Sequence, residues 1–335
     1  MEMMKIDNIW NTLELDNNNN SGLLYKRYSA EVLPDIFVAL KLPERLRCLA
    51  IRITATFPFI EHQWNKFKDI KIEAISDERD KDKKFLLIIL LNKQHKDVFS
   101  TLCQDLIFNV SELTNEQSLI EKLLERLAKW QSLFEKIGKY GLSDESQRGL
   151  YGEVYFLRLF LNSATDKYYC IKSWHGPENA IQDFQHSNWA VEVKTTHGNN
   201  HQKIHISSER QLDDSILEKI FLFHLSLDIR AGNGETLNNL IDAVFETLSN
   251  NTLAMNLFQL KLFEYGYFEA HRPYYNDKGF TIRQENIYRV RGSFPRIVES
   301  QIPVGVGDVK YSIVLSESEE WRIDHQTLFD EIKAN

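Results

Sequence analysis

The residues best suited to chemistry lie in Trp189-Ala190-Val191-Glu192-Val193-Lys194-Thr195-Thr196. Side chains along a strand alternate between faces, so Val191 and Val193 point into a core while Glu192 and Lys194 share the opposite surface. Just upstream, Ile181-Gln182-Asp183-Phe184 reads as a second short strand, and pairing of the two runs through His186-Ser187-Asn188 carries Asp183 to that surface. Two carboxylates and an ammonium then converge. Mg²⁺ takes oxygen ligands, keeps several waters and needs only one or two carboxylates beside substrate phosphate oxygens. Such a cation acidifies a water and screens the charge that builds on phosphorus under attack. A neighbouring lysine can orient that water or steady the transition state. Glu-x-Lys equally suits the solvated face of an ordinary strand, so the tripeptide needs its context.

The elements around it supply one. Ser143 or Asp144 opens a helix that runs to about Leu161, with Leu150, Val154, Leu157 and Leu161 inward. Gly149 and Gly152 inside it each cost about 1 kcal/mol relative to alanine, which implies close packing against the backbone there. Glu153 lies beside them and by default reads as an exposed helical glutamate. The pattern then predicts a strand at Tyr168 to Ser173, a turn with Gly176 and Pro177, and strands at Ala180 to Gln185 and Asn188 to Thr196. A loop through Gly198-Asn199-Asn200 follows, then a short helix opened by Ser208 with Gln211 at capping-box spacing, and a buried strand from Lys219 to Leu227. The order is helix, three strands, helix, strand: a compact α/β unit.

That order, with Gly149-Leu150-Tyr151-Gly152-Glu153-Val154-Tyr155-Phe156-Leu157, Trp174-His175-Gly176-Pro177, Gln182-Asp183-Phe184 and Glu192-Val193-Lys194-Thr195-Thr196, resembles the PD-(D/E)XK nuclease superfamily. More closely it is similar to a bacterial family assigned to that superfamily without a known function, often met beside restriction and phage-defence genes. The resemblance implies a restriction-endonuclease-like core with a mixed sheet. It makes Asp183 and Glu192 metal-binding carboxylates, Lys194 the catalytic lysine, Glu153 a further ligand acting directly or through water, and the Val193 carbonyl an extra ligand. Gln182 stands where the superfamily name expects proline. The implied activity is a Mg²⁺-dependent DNA endonuclease, with Mn²⁺ able to substitute, leaving a 5′ phosphate. Alternatives are a catalytically silent nuclease-fold module that binds DNA or a partner defence protein, and a nuclease that cuts only with a methyltransferase or motor subunit. Cutting both strands also makes a homodimer a reasonable expectation.

The whole chain bounds these readings. It has 335 residues, 43% hydrophobic and 26% charged, with a formal net charge of −8, which argues against coating nucleic acid by bulk attraction. DNA contacts must therefore be regional. Cys48, Cys103 and Cys170 are scattered singly, without metal-ligand spacing, and Met1-Glu2-Met3-Met4-Lys5 leads into polar residues rather than an apolar leader; both point to a cytoplasmic protein without a zinc site. His197, His201 and His205 accordingly read as surface-loop residues.

Four segments are expected: a β-rich domain at 1–110, a connecting helix at 111–141, the nuclease core at 142–230 and an α+β extension at 231–335. In the first, strands are read at Asp35 to Leu42, Leu46 to Thr56, Asp69 to Ile75 and Lys84 to Leu91, with a charged, solvated hairpin tip from Ser76 to Lys84. Thr114 and Gln117 supply a capping-box start for the helix from Asn115 to Ile137. Lys203, Arg210 and Gln211 follow the catalytic strand and are placed to touch phosphates. On a strand from Thr281 to Arg291, Arg283, Arg289 and Arg291 would share one face, with Ile282 and Val290 on the other. That basic face is the expected duplex contact, with a face that salt-bridges to the acidic helices as the alternative. Tyr265, Tyr267, Phe268, Tyr274 and Tyr275 around His271-Arg272-Pro273 read as a strand-and-turn core rather than a base-stacking surface.

Overall fold

The computed structural model describes residues 6–16, 21–58, 69–136, 141–178, 180–198 and 202–333. The chain divides into two compact units, Met1–Gly138 and Lys139–Asn335. The first unit opens with α1 (Ile6–Glu14), which carries Ile6, Ile9, Trp10 and Leu13 buried on one side. Then come β1 (Gly22–Arg27), β2 (Ile36–Leu42), β3 (Leu46–Thr54), β4 (Ile70–Ser76) and β5 (Lys83–Leu90), followed by α2 (Lys96–Val110) and α3 (Glu116–Lys136). The strands form one antiparallel sheet in the order β1-β2-β3-β5-β4. α1 and β1 have no counterpart among the expected elements. Asn115, not Thr114, starts α3: its side chain accepts the Ser118 N–H at 2.9 Å while Gln117 turns to Glu121. The tip between β4 and β5 is not wholly solvated, because Asp77 is buried and pairs with Arg52 at 2.7 Å. The helix expected to connect domains packs within this unit, where Arg126 and Trp130 of α3 both bind buried Asp105 of α2.

The second unit contains α4 (Asp144–Ser163), α5 (Lys167–Lys172), β6 (Phe184–His186), β7 (Trp189–His197), β8 (Lys203–Ile206), β9 (Lys219–Ala231), β10 (Glu235–Thr236), α6 (Leu237–Thr247), α7 (Thr252–Tyr265), β11 (Lys278–Val290), β12 (Tyr311–Val314), β13 (Arg322–Ile323) and α8 (His325–Ile332). Its main sheet is mixed, in the order β10-β11-β9-β7-β6, with β13 on β11; β7 and β9 run parallel and the other neighbours antiparallel. Local signals set the helix ends. Ser143, Thr236 and Asn251 accept backbone N–H groups at the starts of α4, α6 and α7, and Gly266 ends α7 in the left-handed region at φ 101°. Alternation along the strands splits the core in two. Val191, Val193, Phe221, Phe223 and Leu225 meet α4 and the C-terminal helices on one face, while Ala190, Leu222, Tyr288 and Val290 meet Ile204, Ile206 and Ile313 of the small β8–β12 sheet on the other. Residues after 231 supply β11, which pairs with β9 from Ile220 to Ala231, and add Leu237, Phe258 and Phe329 to the same core as α4.

Four expectations change. Tyr168 to Ser173 is not a strand: the Asp166 carboxylate accepts the Tyr169 N–H at 3.0 Å and caps helix α5, overriding the β preference of Tyr-Tyr-Cys-Ile. The connection between β7 and β9 holds β8 and a single 3-10 turn, Glu209–Leu212, in place of an α-helix. The aromatic segment is the end of α7 plus a 3-10 helix at Glu269–Tyr275; Tyr267, Phe268 and Tyr275 are buried there, so they are core, though not strand. Along β11, a bulge between Ile282 and Gln284 reverses the alternation, which puts Ile282 and Val290 on opposite faces.

Candidate active site

Strand β7 turns Glu192 and Lys194 to the face away from α4, since Val191 and Val193 fill the helix-side core. β6 and β7 form a hairpin with Phe184 opposite Val191 and His186 opposite Trp189, closed by Ser187 at φ 50°. The ladder stops at Phe184, one residue after Asp183. Beyond it the Val193 N–H is satisfied by Asp183 itself, whose Oδ2 accepts it at 2.7 Å. Because a strand residue's N–H and C=O point to the same edge, the Val193 carbonyl faces this side too. Lys194 Nζ lies 2.5 Å from Glu192 Oε1 and donates to Gln211 Oε1 at 3.3 Å.

Glu153 reaches the group from behind. A β-carbon at Gly152 would overlap the Thr195 methyl, so this glycine lets α4 settle directly onto β7. Glu153 is buried, not exposed as its type suggested. Trp174 Nε1 donates to its Oε2 at 2.7 Å and the Tyr265 hydroxyl hydrogen-bonds the same carboxylate. A β-carbon at Gly176 would fall on that carboxylate, which explains the glycine in Trp174-His175-Gly176-Pro177. The Trp174 carbonyl is in turn held by the ammonium of buried Lys261, which also binds Glu178 at 2.8 Å. Trp174 stood in the motif Trp174-His175-Gly176-Pro177 without a role; Tyr265 and Lys261 carried no spacing signal, and only packing brings them here.

Three carboxyl groups in so small a volume perturb one another. Burial, then repulsion from Asp183, pushes Glu192 up to about 8 although Lys194 opposes the shift. Burial and Asp183 also raise Glu153 well above the usual carboxylate range, against the Trp174 hydrogen bond. Asp183 is raised by burial, offset in part by Lys194 and by the Val193 N–H. For Lys194, burial pulls downward, but Glu192 and Asp183 outweigh it and the ammonium is held above its ordinary value. The lysine therefore keeps its proton.

A divalent cation suits this donor set. Glu192 Oε2 is buried without a hydrogen-bond partner, an acceptor whose desolvation is otherwise uncompensated. Among the described residues no group of three or more His, Cys, Asp or Glu side chains is placed to hold a metal ion; Mg²⁺ needs only one or two carboxylates beside waters and substrate phosphate oxygens. The family model described as "Putative PD-(D/E)XK family member" (DUF4420) matches residues 6–316. The chain belongs to this family. Comparison with curated proteins and with solved structures found no match. The mixed α/β fold is consistent with a PD-(D/E)XK-like architecture, and membership of the family suggests a nuclease-like function and a divalent metal.

The expected nucleic-acid contacts disperse. Gln211 is internal to the site, bound to Lys194 and to the Ser207 N–H at 2.9 Å. Arg210 is exposed near Glu209 and Glu299, each at 3.8 Å, and Lys203 is exposed on β8. Arg283, at the bulge, lies on the side of Asp228, 3.6 Å away, and donates to the Gly198 carbonyl at 3.4 Å. Arg289 instead faces the helix side, paired with Glu331 of α8 over the Phe221 ring. Arg291 lies past the end of β11 and is exposed. Arg283 and Arg289 thus lie on opposite faces, because the bulge shifts the parity between them. Arg296 is tied to Asp214 and to the Leu212 carbonyl, both at 2.7 Å. His205 binds Ser312 at 2.9 Å, whereas His201 lies outside the described residues. The three cysteines are free and buried, and no helix among the described residues is long and apolar enough to cross a membrane.

Proposed function

We propose that the second unit is a Mg²⁺-dependent DNA endonuclease, with Mn²⁺ able to substitute, serving restriction or phage defence in the cytoplasm, and that its sheet is a restriction-endonuclease-like core. The observation that carries this reading is the buried, unpartnered Glu192 Oε2 beside Asp183, Glu153 and a protonated Lys194. Asp183, Glu192, Glu153 and the Val193 carbonyl are the groups that would hold the cation. When bound, it supplies Lewis-acid stabilisation of the phosphate and a more acidic water.

The chain's own residues do the rest. Lys194, which keeps its proton, acts as a donor and a fixed charge rather than a base: it orients the attacking water and offsets negative charge on the phosphate. The water oxygen bonds to phosphorus as one of its protons passes to solvent, the bond from phosphorus to the 3′ oxygen breaks, and that oxygen takes up a proton from solvent. A 5′ phosphate remains. Arg283, Arg210, Lys203 and Arg291 are exposed basic groups available to the DNA backbone.

The test is cleavage of plasmid and oligonucleotide DNA by purified wild type, Glu192→Ala and Lys194→Ala with Mg²⁺. Loss of cutting in both variants, with folds intact by circular dichroism, supports the assignment; Mg²⁺-dependent cutting that persists in both defeats it. A second reading, a silent module that binds DNA or a defence partner, is favoured by the acidic chain and by the commitment of Arg289 to Glu331. Salt-sensitive binding without cutting at any divalent ion would select it. Cutting restored only by a methyltransferase or motor subunit, or only in a dimer, would place the same site in an assembly.

A further inference from the structure

Gln182 occupies the position before Asp183, and its side chain does something that a proline there could not. It is only 4% exposed. Its Nε2 donates to two successive backbone carbonyls across the site, Arg210 at 3.0 Å and Gln211 at 3.3 Å. An amide nitrogen has two protons to give, and both are spent on the 3-10 turn Glu209–Leu212. That turn is also fixed from its own side: the Ser208 hydroxyl accepts the Arg210 N–H at 3.3 Å and the Ser208 carbonyl accepts the Gln211 N–H at 3.1 Å.

The turn presents Gln211 to Lys194. Gln211 Oε1 accepts from the Ser207 N–H at 2.9 Å and from Lys194 Nζ at 3.3 Å. Both partners are donors, so the amide must direct its oxygen, not its nitrogen, at the ammonium. Lys194 is thereby held between two acceptors, Glu192 Oε1 and Gln211 Oε1, with a third donor left over for substrate. The backbone that carries Asp183 and the side chain that steers Lys194 are thus joined through Gln182.

We propose that Gln182 is a positioning residue for Lys194, acting through the 3-10 turn that carries Gln211. Its catalytic meaning rests on the nuclease reading of Lys194; the positioning itself does not. Gln182 touches neither substrate nor ion. Its two bonds set the height of the turn over the sheet, and a lysine displaced by about 1 Å loses up to about a hundredfold in rate.

The experiment uses the full chain, labelled with ¹⁵N-lysine, and follows the Lys194 ammonium signal by NMR, assigned by its loss in Lys194→Met. Three variants are compared. Gln182→Met keeps length and packing but removes the donor, Gln182→Ala removes both, and Gln211→Met removes the acceptor. In wild type the ammonium should be resolved and slow to exchange; in all three variants exchange should accelerate roughly tenfold or more. Gln182→Met should also lower the cleavage rate by about ten- to a hundredfold with KM within about threefold. If Gln182→Met keeps the wild-type ammonium signal, whether or not Gln182→Ala loses it, the hydrogen bonds do not position Lys194 and the proposal is overturned. If the signal changes as expected while wild type cuts no DNA, the positioning stands and the nuclease reading fails instead.

Discussion

Glu192→Gln provides the sharpest test of the electrostatics. In the unfolded chain Glu192 titrates near 4.5; in the folded unit burial and Asp183 move it up to about 8. Between those values the native state holds a proton that the unfolded chain has released, so folding takes up a proton and stability falls as pH rises. One fully linked group gives a slope of about 1.4 kcal/mol per pH unit. Over the whole interval it amounts to at most about 5 kcal/mol, fully present below pH 4.5 and lost by the time pH passes 8. Glu153 and Asp183 are shifted in the same direction and add to the fall. Glutamine keeps the shape and the acceptor facing Lys194 but cannot ionise. The assay is urea unfolding of the second unit at pH 5.5, 6.5 and 7.5 with EDTA, followed by hydrogen exchange of β7 and β9 amides. The variant should lose up to about 1.4 kcal/mol per pH unit of the wild-type slope. Adding Mg²⁺ at a hundred times Kd should stabilise wild type by about 2.7 kcal/mol at pH 7.5 and the same concentration by less at pH 5.5, because the cation selects ionised carboxylates. An unchanged slope in Glu192→Gln, or no Mg²⁺ effect at the higher pH, would mean that Glu192 does not carry the pH dependence or bind the cation.

Other outcomes follow from single contacts. Asp183→Asn keeps an acceptor for the Val193 N–H but removes the charge that raises Glu192 and Glu153; the metal-free protein should gain stability above pH 7 while Mg²⁺ affinity by calorimetry falls roughly tenfold or more. Gly176→Ala drives a methyl into the Glu153 carboxylate and should cost about 1–3 kcal/mol in chemical unfolding, together with weaker Mg²⁺ binding. Arg283→Ala should weaken DNA binding and lower the slope of log K against log salt by about 1. Arg289→Ala should leave that slope alone and reduce stability, since its partner is Glu331.

Much of the site was legible because its signals are short-range. The period of two in Val191-Glu192-Val193-Lys194 fixed which charges share a face whatever the strand packs against, and the extent of α4 followed its apolar spacing and the Ser143 cap. The glycines in α4 announced close packing, and Gly152 meets Thr195. Where two local signals competed the reading failed: at Tyr168 to Ser173 the Asp166 cap prevailed over β propensity. A bulge leaves no mark in residue types, so one extra residue at Arg283 undid the expected basic face.

Sequence by itself therefore determined the order of Glu153, Asp183, Glu192 and Lys194, the elements beneath the helix and the Glu-x-Lys strand, and the side to which that strand turns its charges, since each depends on neighbours a few residues away. Only the tertiary structure decided that Asp183 caps the free edge of β7, that Glu153 is buried against Trp174, and that Gln182 and Gln211 hold Lys194. These contacts join residues 10 to 29 positions apart. Burial by such distant segments, which no local pattern encodes, is what shifts the carboxyl groups and leaves Glu192 with an unpartnered oxygen.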